Sequence, residues 1–466
     1  MSRVEIDNLI VGSGFVGAQL FRRLRGRNSS TLVVDLSCLS SQLDISSDNV
    51  ALIDPDQISK TGRVGGGATV WGGALSWPSK TNWFSSGPPE WTGLSREIFE
   101  LGNRSPDARK AKKWDDRSQL EKTAQSRNNP VSDAILLEGH RVPFLWQFSS
   151  WRMVRLMKKQ AIEAKELIRC TPNPEGGGTI TVMTDVGLKH FDCRRLFLAA
   201  GPIINALMVH LLSGQAEFTL GNHVSRRLGE LKPEKGLRLG YFAKLRPFGR
   251  FITFGSVRPT GEESGTSGSS LIHSIRLVPN DATSLRACLS NPSINGVFSF
   301  LSAKFGRPVS VDVLQMIDSG PSLARLTISS NAKGTQSESR SVDGIKMKFQ
   351  ASMEDEVLKS ANTQATAWIA KLKPGSTFIP AESSVLKDAA HYWGSLRNSL
   401  GPCQAEEALG SNPTVANNFQ VRGLHSVYAV GASSFAVGAH GHPTLLASLT
   451  ADVLCERLFL ADRTAR

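Results

Sequence analysis

The sequence predicts an α/β fold in which a parallel βαβ unit opens the chain and an antiparallel sheet fills its middle. Three observations carry this. Residues 4–36 alternate apolar run, glycine loop, amphipathic run and apolar run. From about 230 to 385, short β-like runs recur between Gly/Ser-rich turns. The last stretch returns to glycine-punctuated strands and ends in a long apolar-faced segment. At 466 residues the chain exceeds a single simple core and fits about two or three domains.

The elements follow in order. VEIDNLIV at 4–11 is a strand, FVGAQLFRRLR at 15–25 a helix with a basic end, and TLVVDL at 31–36 a second strand ending in an acid. Residues 37–62 are polar and read as irregular. The polar stretch 102–130 reads as an exposed excursion. In 151–168, Val154, Met157, Ala161, Ala164 and Ile168 share one helical face. TITVMT (179–184) and KHFDC (189–193) have hairpin character, and RLFLAAG (195–201) is a buried-type strand closing on glycine. GRFITFGS, SLIHSIRLV, GVFSFLS, ARLTISS and IKMKFQAS supply the middle sheet, a layer distinct from the first unit. Residues 353–372 read as a helix and VYAVG (427–431) as a strand. Residues 443–459 read as a helix with Pro443 in its first turn. No internal repeat is found.

Composition narrows the function classes. The net charge of +13 permits acidic partners, but the basic residues are scattered and no basic–aromatic repeat or nucleic-acid motif occurs. A solvated basic surface is expected, with no nucleic-acid partner. The six cysteines, Cys38, Cys170, Cys193, Cys288, Cys403 and Cys455, form no CxxC pair and no zinc spacing, so reduced thiols are expected. No stretch approaches the ~20 apolar residues of a membrane span. The first apolar run leads into a glycine loop rather than a cleavage site, so a cytoplasmic protein without a signal peptide is expected.

The loop Gly12-Ser13-Gly14-Phe15-Val16-Gly17 matches G-x-G-x-x-G. In such a loop the first glycine makes the tight turn, the second admits a pyrophosphate and the third lets helix pack on strand. The helix start then offers N–H groups and a positive dipole end to phosphate. Asp35 follows Gly17 by 18 residues, at the end of the second strand, where a carboxylate can accept from ribose hydroxyls. An acid there favours NAD or FAD over NADP.

A second glycine cluster runs Arg63-Val64-Gly65-Gly66-Gly67-Ala68-Thr69-Val70-Trp71-Gly72-Gly73. Its composition fits a flexible loop as well as backbone packed on a flat ring. With the first loop, the R-x-G-G-G-x-T-x-W-G-G pattern resembles the glucose–methanol–choline (GMC) oxidoreductases, in the branch that includes many sugar-oxidising members. In that family the segment lies against pyrophosphate and flavin, so the resemblance implies FAD through Gly66, Gly67, Thr69, Trp71 and Gly72. Phe197-Leu198-Ala199-Ala200-Gly201 is similar to the family's LAAG strand, placing Ala200 and Gly201 at the cofactor.

Residues 391–398 (HYWGSLRN) and 421–444 (VRGLHSVYAVGASSFAVGAHGHPT) resemble the family's two C-terminal segments. Carried over, His391 takes the first active-site histidine position and His442 the second. Gly431, Ala432, His442, Pro443 and Thr444 join the cofactor set, and His440 matches a histidine of some members. A neutral imidazole is a suitable base for an alcohol proton. His440 and His442 at i, i+2 also fit a metal pair, but no carboxylate or Cys ligand lies close in sequence, and no metal is expected. Departures are Ser395 for Thr, Asn398 for Met and Gly431 for a frequent Asp. Gly221-Asn222-His223 resembles its family segment only loosely.

The resemblance therefore implies a Rossmann-like FAD-binding domain with an antiparallel-sheet substrate domain. The FAD domain is expected over 1–80, 150–230 and 390–466, the substrate domain over 231–389, and a capping excursion over 81–149. The implied reaction oxidises a CH–OH group of a sugar, glycoside or other polar alcohol, with FAD receiving hydride at N5. His391 is the expected base and His442 its partner, with the order open. A redox-neutral FAD lyase and an inactive FAD-binding protein stand as alternatives. The electron acceptor is open among oxygen, quinone, cytochrome or another protein. No histidine falls in 62–80 for covalent flavin attachment there.

Overall fold

A computed structural model of the chain describes residues 3–25, 29–60, 64, 66, 74–76, 135–137, 139–141, 155–233, 252–257, 272–279, 311–318, 323–330, 342, 344–372, 376–396, 398–399, 415–416, 419–435 and 444–464. Strands and helices are numbered in chain order.

A strand whose apolar run is uninterrupted needs cover on both faces. Strand β1 (Arg3–Val11) meets this need, and Leu9, Ile10 and Val11 are fully buried. It lies between β2 (Thr31–Asp35) and β10 (Gly187–Leu198), parallel to both. Beyond β2 comes the short parallel β7 (Ala161–Glu163). Strand β10 has 12 residues and serves two neighbours on its far edge. Its first half pairs antiparallel with β9 (Gly178–Thr184), which continues to β8 (Glu166–Pro172). Its last residues, Leu196–Leu198, pair parallel with β22 (Val427–Ala429). The C-terminal segment thereby joins the sheet at the end where β1 finishes.

Helix α1 (Phe15–Leu24) turns Ala18, Leu20, Phe21 and Leu24 inward. Burying each large apolar side chain contributes about 1.5–3 kcal/mol. Its outer face meets the terminal helix α6 (Thr444–Thr464) through Gln19 and Arg23. Helix α4 (Pro202–Ser213) follows β10 and is apolar nearly all round, as an interior helix must be.

Two further sheets hold the middle of the chain. The larger runs β18 (Ser376–Pro380), β12 (His223–Pro233), β15 (Val311–Asp318), β14 (Ile272–Pro279), β13 (Ile252–Val257) and β5 (Ile135–Leu137). The two-residue β19 (Lys387–Asp388) also pairs with β12. All of these pairs are antiparallel. The smaller has the order β11 (Glu217–Leu220), β16 (Ala324–Ser330), β17 (Ile345–Ala351) and β3 (Asp44–Ser47). In β17 Ile345, Met347, Phe349 and Ala351 are buried and the residues between are exposed, the period-2 signature of a half-covered strand. Short pairs β4 (Ala74–Ser76) with β6 (Gly139–Arg141), and β20 (Asn398–Ser399) with β21 (Val415–Ala416), complete the described strands.

The architecture is a mixed α/β fold with parallel and antiparallel sheets. Three expectations change. Of the stretch 37–62, the described residues 37–60 are not irregular: they hold α2 (Leu39–Gln42), β3 and α3 (Pro55–Lys60). The polar DISS of β3 is a strand because Lys346–Phe349, some 300 residues on, offer it a parallel partner. The helix expected over 151–168 stops at 160. Ala161 then pairs with Val33 and Ile168 lies in β8, because apolar residues three or four apart satisfy a turn between short strands as well as a helix face. The middle runs do not build one sheet: ARLTISS and IKMKFQAS join the smaller sheet, and GRFITFGS and SLIHSIRLV the larger. GVFSFLS and the stretch 102–130 lie outside the described residues. Among the described residues no helix is long and apolar enough to cross a membrane.

Candidate functional site

The glycine loop sits where β1 ends. Gly12 has φ +108 and stays tied to β2 by donating its N–H to Val34 O at 2.9 Å. A Cβ on Gly12 would lie 2.6 Å from Ala200 Cα and 2.7 Å from Ala199 O, so the end of β10 lies directly on it. A Cβ on Gly17 would fall 1.9 Å from Gly12 O. The helix therefore rests on the loop with room for hydrogen only. Gly14 is the N-cap of α1 and leaves the first turn without a side-chain cap.

Asp35 is buried at the end of β2. The Ser13 hydroxyl donates to its Oδ2, and the Ser37 N–H donates to Oδ1 at 2.9 Å. A carboxylate offers roughly four acceptor positions, so each oxygen keeps capacity for a further donor. Gly66 approaches this loop: with φ +49, a Cβ there would lie 3.8 Å from Gly14 Cα. Gly67, Thr69, Trp71 and Gly72 lie outside the described residues.

The C-terminal segment closes on the same place. Gly431 has φ +86, and a Cβ on it would come within 2.9 Å of Val16 Cγ2 in the first turn of α1. Its N–H donates to Thr450 Oγ1 of α6 at 3.0 Å. An Asp here would need both the unfavourable φ and the space of Val16, which explains why this chain carries glycine. Ala432 starts a single 3-10 turn, Ala432–Ser434. Gly12, Gly14, Phe15, Val16, Gly17, Asp35, Gly66, Ala200 and Gly431 thus come together from four distant segments. Gly201, at φ +88, caps α4 just beyond Ala200.

Asn205 ties these segments and was not singled out by the sequence. It is fully buried on α4. Its Oδ1 accepts the Ala200 N–H at 2.9 Å, and its Nδ2 donates to Leu198 O at 3.0 Å and Ser433 Oγ at 2.9 Å. The only sequence signal was a polar residue inside an apolar helix, which a buried network requires.

The His391 segment is stitched to the same turn. Gly394 donates to Ala432 O at 2.9 Å, Leu396 to Ser433 O at 2.8 Å, and Ser395 Oγ to Pro202 O at 2.6 Å. His391 itself is half-buried, and its backbone N–H donates to Asn222 Oδ1 at 3.0 Å. Its ring meets His223, a residue without an assigned role in the sequence. Asp388 accepts from Asn222 Nδ2 (2.7 Å), the Asp54 N–H (2.8 Å), the Ala390 N–H (2.6 Å) and the Tyr392 hydroxyl. Burial, reinforced by Asp388, pushes the Tyr392 phenol far above its usual range and keeps it a neutral donor. His440, His442 and Pro443 lie outside the described residues, and Thr444 begins α6 with its side chain likewise outside them. Among the described residues no group of three or more His, Cys, Asp or Glu is placed to hold a metal.

No family model and no curated protein matches the chain. Among solved structures it is similar to the crystal structure of pyridoxine 4-oxidase from Mesorbium loti, with a TM-score of 0.52 and 11% identity. The superposition covers 97% of this chain and 99% of that one. At this identity the likeness speaks to the fold alone. The likeness runs nearly the whole length of both chains.

Proposed function

We propose that this chain is an FAD-dependent oxidoreductase that oxidises a CH–OH group of a sugar, glycoside or other polar alcohol to a carbonyl. The observation that carries the reading is the glycine cradle at the end of β1, with Asp35 on the next strand and Gly66 laid against Gly14. The residues fit a dinucleotide. Side chains at 12 and 17 would be blocked by backbone, the α1 start carries no side-chain cap, and Asp35 keeps acceptor capacity for a ribose. A solved structure that shares the fold over nearly all of both chains is named as an oxidase of pyridoxine, which supports oxidoreductase chemistry.

In this Rossmann-like reading, Gly12, Gly14, Phe15, Val16 and Gly17 hold the pyrophosphate, and Asp35 the adenosine ribose. Ala200, Gly201, Gly431 and Ala432 shape the floor, and Gly66, Gly67, Thr69, Trp71, Gly72, Pro443 and Thr444 complete the pocket. Bound FAD supplies the hydride acceptor, N5. His391 takes the hydroxyl proton, and His442 holds the same oxygen. The domain division 1–80, 150–230 and 390–466 against 231–389, with 81–149 as cap, belongs to the same proposal.

A visible spectrum of the purified protein, followed by anaerobic titration with pyridoxine, glucose, a methyl glycoside and benzyl alcohol, tests it. Flavin absorbance that bleaches with one of these supports the reading. Glycine at 431, where the family that the sequence resembles frequently carries an Asp, favours as a second reading a protein that keeps FAD without redox turnover. Bound FAD that no alcohol bleaches selects that reading, and absence of any flavin affinity rejects both.

A further inference from the structure

Nδ1 of His391 lies 3.3 Å from Nδ1 of His223. The rings meet edge to face, with centroids 5.5 Å apart and planes at 89°. His223 is buried at the first position of β12. Two neutral imidazoles share such a contact in one of two ways, since one Nδ1 must carry the hydrogen and the other the lone pair. If His223 donates, the hydrogen of His391 sits on Nε2, which then has no lone pair for a substrate proton. If His391 donates, its Nε2 is basic.

We propose that His223 is a positioning residue for His391: its Nδ1 accepts the Nδ1–H of His391 and so holds His391 in the tautomer whose Nε2 is the base. This rests on the reading of His391 as the base. The proton balance closes. When Nε2 of His391 takes up a proton, the ring becomes a cation with two N–H groups, and Nδ1–H still donates into His223. His223 keeps its own hydrogen on Nε2, and no proton leaves the pair. Two cations at this distance would repel strongly, so the charge stays on one ring. A carboxylate orients a catalytic histidine through the same nitrogen in hydrolases. A neutral imidazole gives the direction without adding a charge.

The surrounding backbone makes the contact a built one. Asn222, next to His223, accepts the backbone N–H of His391 at 3.0 Å. The Ala389 N–H donates to His223 O at 3.0 Å. Asn222 Nδ2 also donates to Leu52 O at 2.9 Å and to Asp388 Oδ1. Ala390 is held at φ +52, a conformation that a side chain disfavours, by its bond to the same Asp388 oxygen. Strain just before His391 is thus accepted to deliver its ring to His223.

The test uses the full-length flavoprotein labelled with ¹⁵N-histidine. The chain has nine histidines, and His391 is assigned by the resonances lost in His391→Gln. At a pH where the rings are neutral, His391 of the wild type is expected to show a protonated Nδ1. His223→Leu removes the acceptor and shifts the hydrogen to Nε2. His223→Asn, whose Oδ1 replaces the lone pair, keeps it on Nδ1. A wild-type His391 protonated on Nε2, or a tautomer unchanged in His223→Leu, overturns the proposal. Should His223→Leu fail to fold, the wild type and His223→Asn decide it, and loss of the Nδ1–H signal in His223→Asn overturns it. Full turnover by His391→Gln would reject the base reading while leaving the tautomer result to stand by itself.

Discussion

Asn205→Leu tests the joint that brings the glycine cradle together. The substitution keeps the side-chain volume close and removes three hydrogen bonds, to the Ala200 N–H, Leu198 O and Ser433 Oγ. Leu198 O keeps a bond from the Val430 N–H at 3.2 Å, and the Ser433 hydroxyl keeps Val430 O at 3.2 Å. The Ala200 N–H loses its side-chain acceptor. At about 1 kcal/mol net per bond, the local loss is about 3 kcal/mol. A 466-residue chain need not unfold in two states, so a global melt is the wrong instrument. Hydrogen–deuterium exchange on peptides covering 196–206 and 427–436 reads the opening directly. A loss of 3 kcal/mol corresponds to about 150-fold faster exchange there. The β16–β17 hairpin, which shares none of these bonds, should not change. Unchanged protection in both peptides of a folded variant would refute the reasoning.

Gly17→Ala places a methyl 1.9 Å from Gly12 O, where no side-chain rotation relieves it. Strain of about 1–3 kcal/mol should fall on the loop, and the variant should retain flavin about tenfold less well through gel filtration. Retention equal to wild type would sink the assignment of this loop. Asp452 of α6 is buried against α1, and burial raises its carboxyl above 3.8 despite Gln19 and Arg23. The folded state therefore binds this proton more tightly than the unfolded chain. The stability contribution is full below 3.8 and is lost as pH rises through the raised folded value. Asp452→Asn should gain in Tm relative to wild type as pH rises from about 4 to about 7. A flat or declining difference counts against it.

How much of this was legible depended on the range of the interaction. The β1–loop–α1–β2 unit was read to within a residue, because its signals are local: an apolar run, three glycines at fixed spacing and an amphipathic turn. The β9–β10 hairpin and helix α5 (Asp355–Leu372) were legible for the same reason. Strand β3 was not. Its four polar residues carry no strand signal, and only pairing with β17 makes them one. The 151–168 stretch was misread because its apolar spacing fits two local structures, and Val33 chose between them.

The site divides the same way. Glycine is required wherever backbone approaches backbone, so Gly12, Gly14 and Gly17 declare themselves in the chain, and Asp35 follows from its distance to them. The sequence determined by itself the strand, glycine loop and helix that open the protein. Only the tertiary structure brought Gly66, Ala200 and Gly431 onto that cradle. It also set His223, 168 residues earlier in the chain, against His391, and put Asn205 and Asp388 at the joints. Hydrogen bonds between groups so far apart leave no periodicity and no motif. They exist because three sheets and two helices bring the ends of separate strands to one place, and a buried polar group there must find a partner.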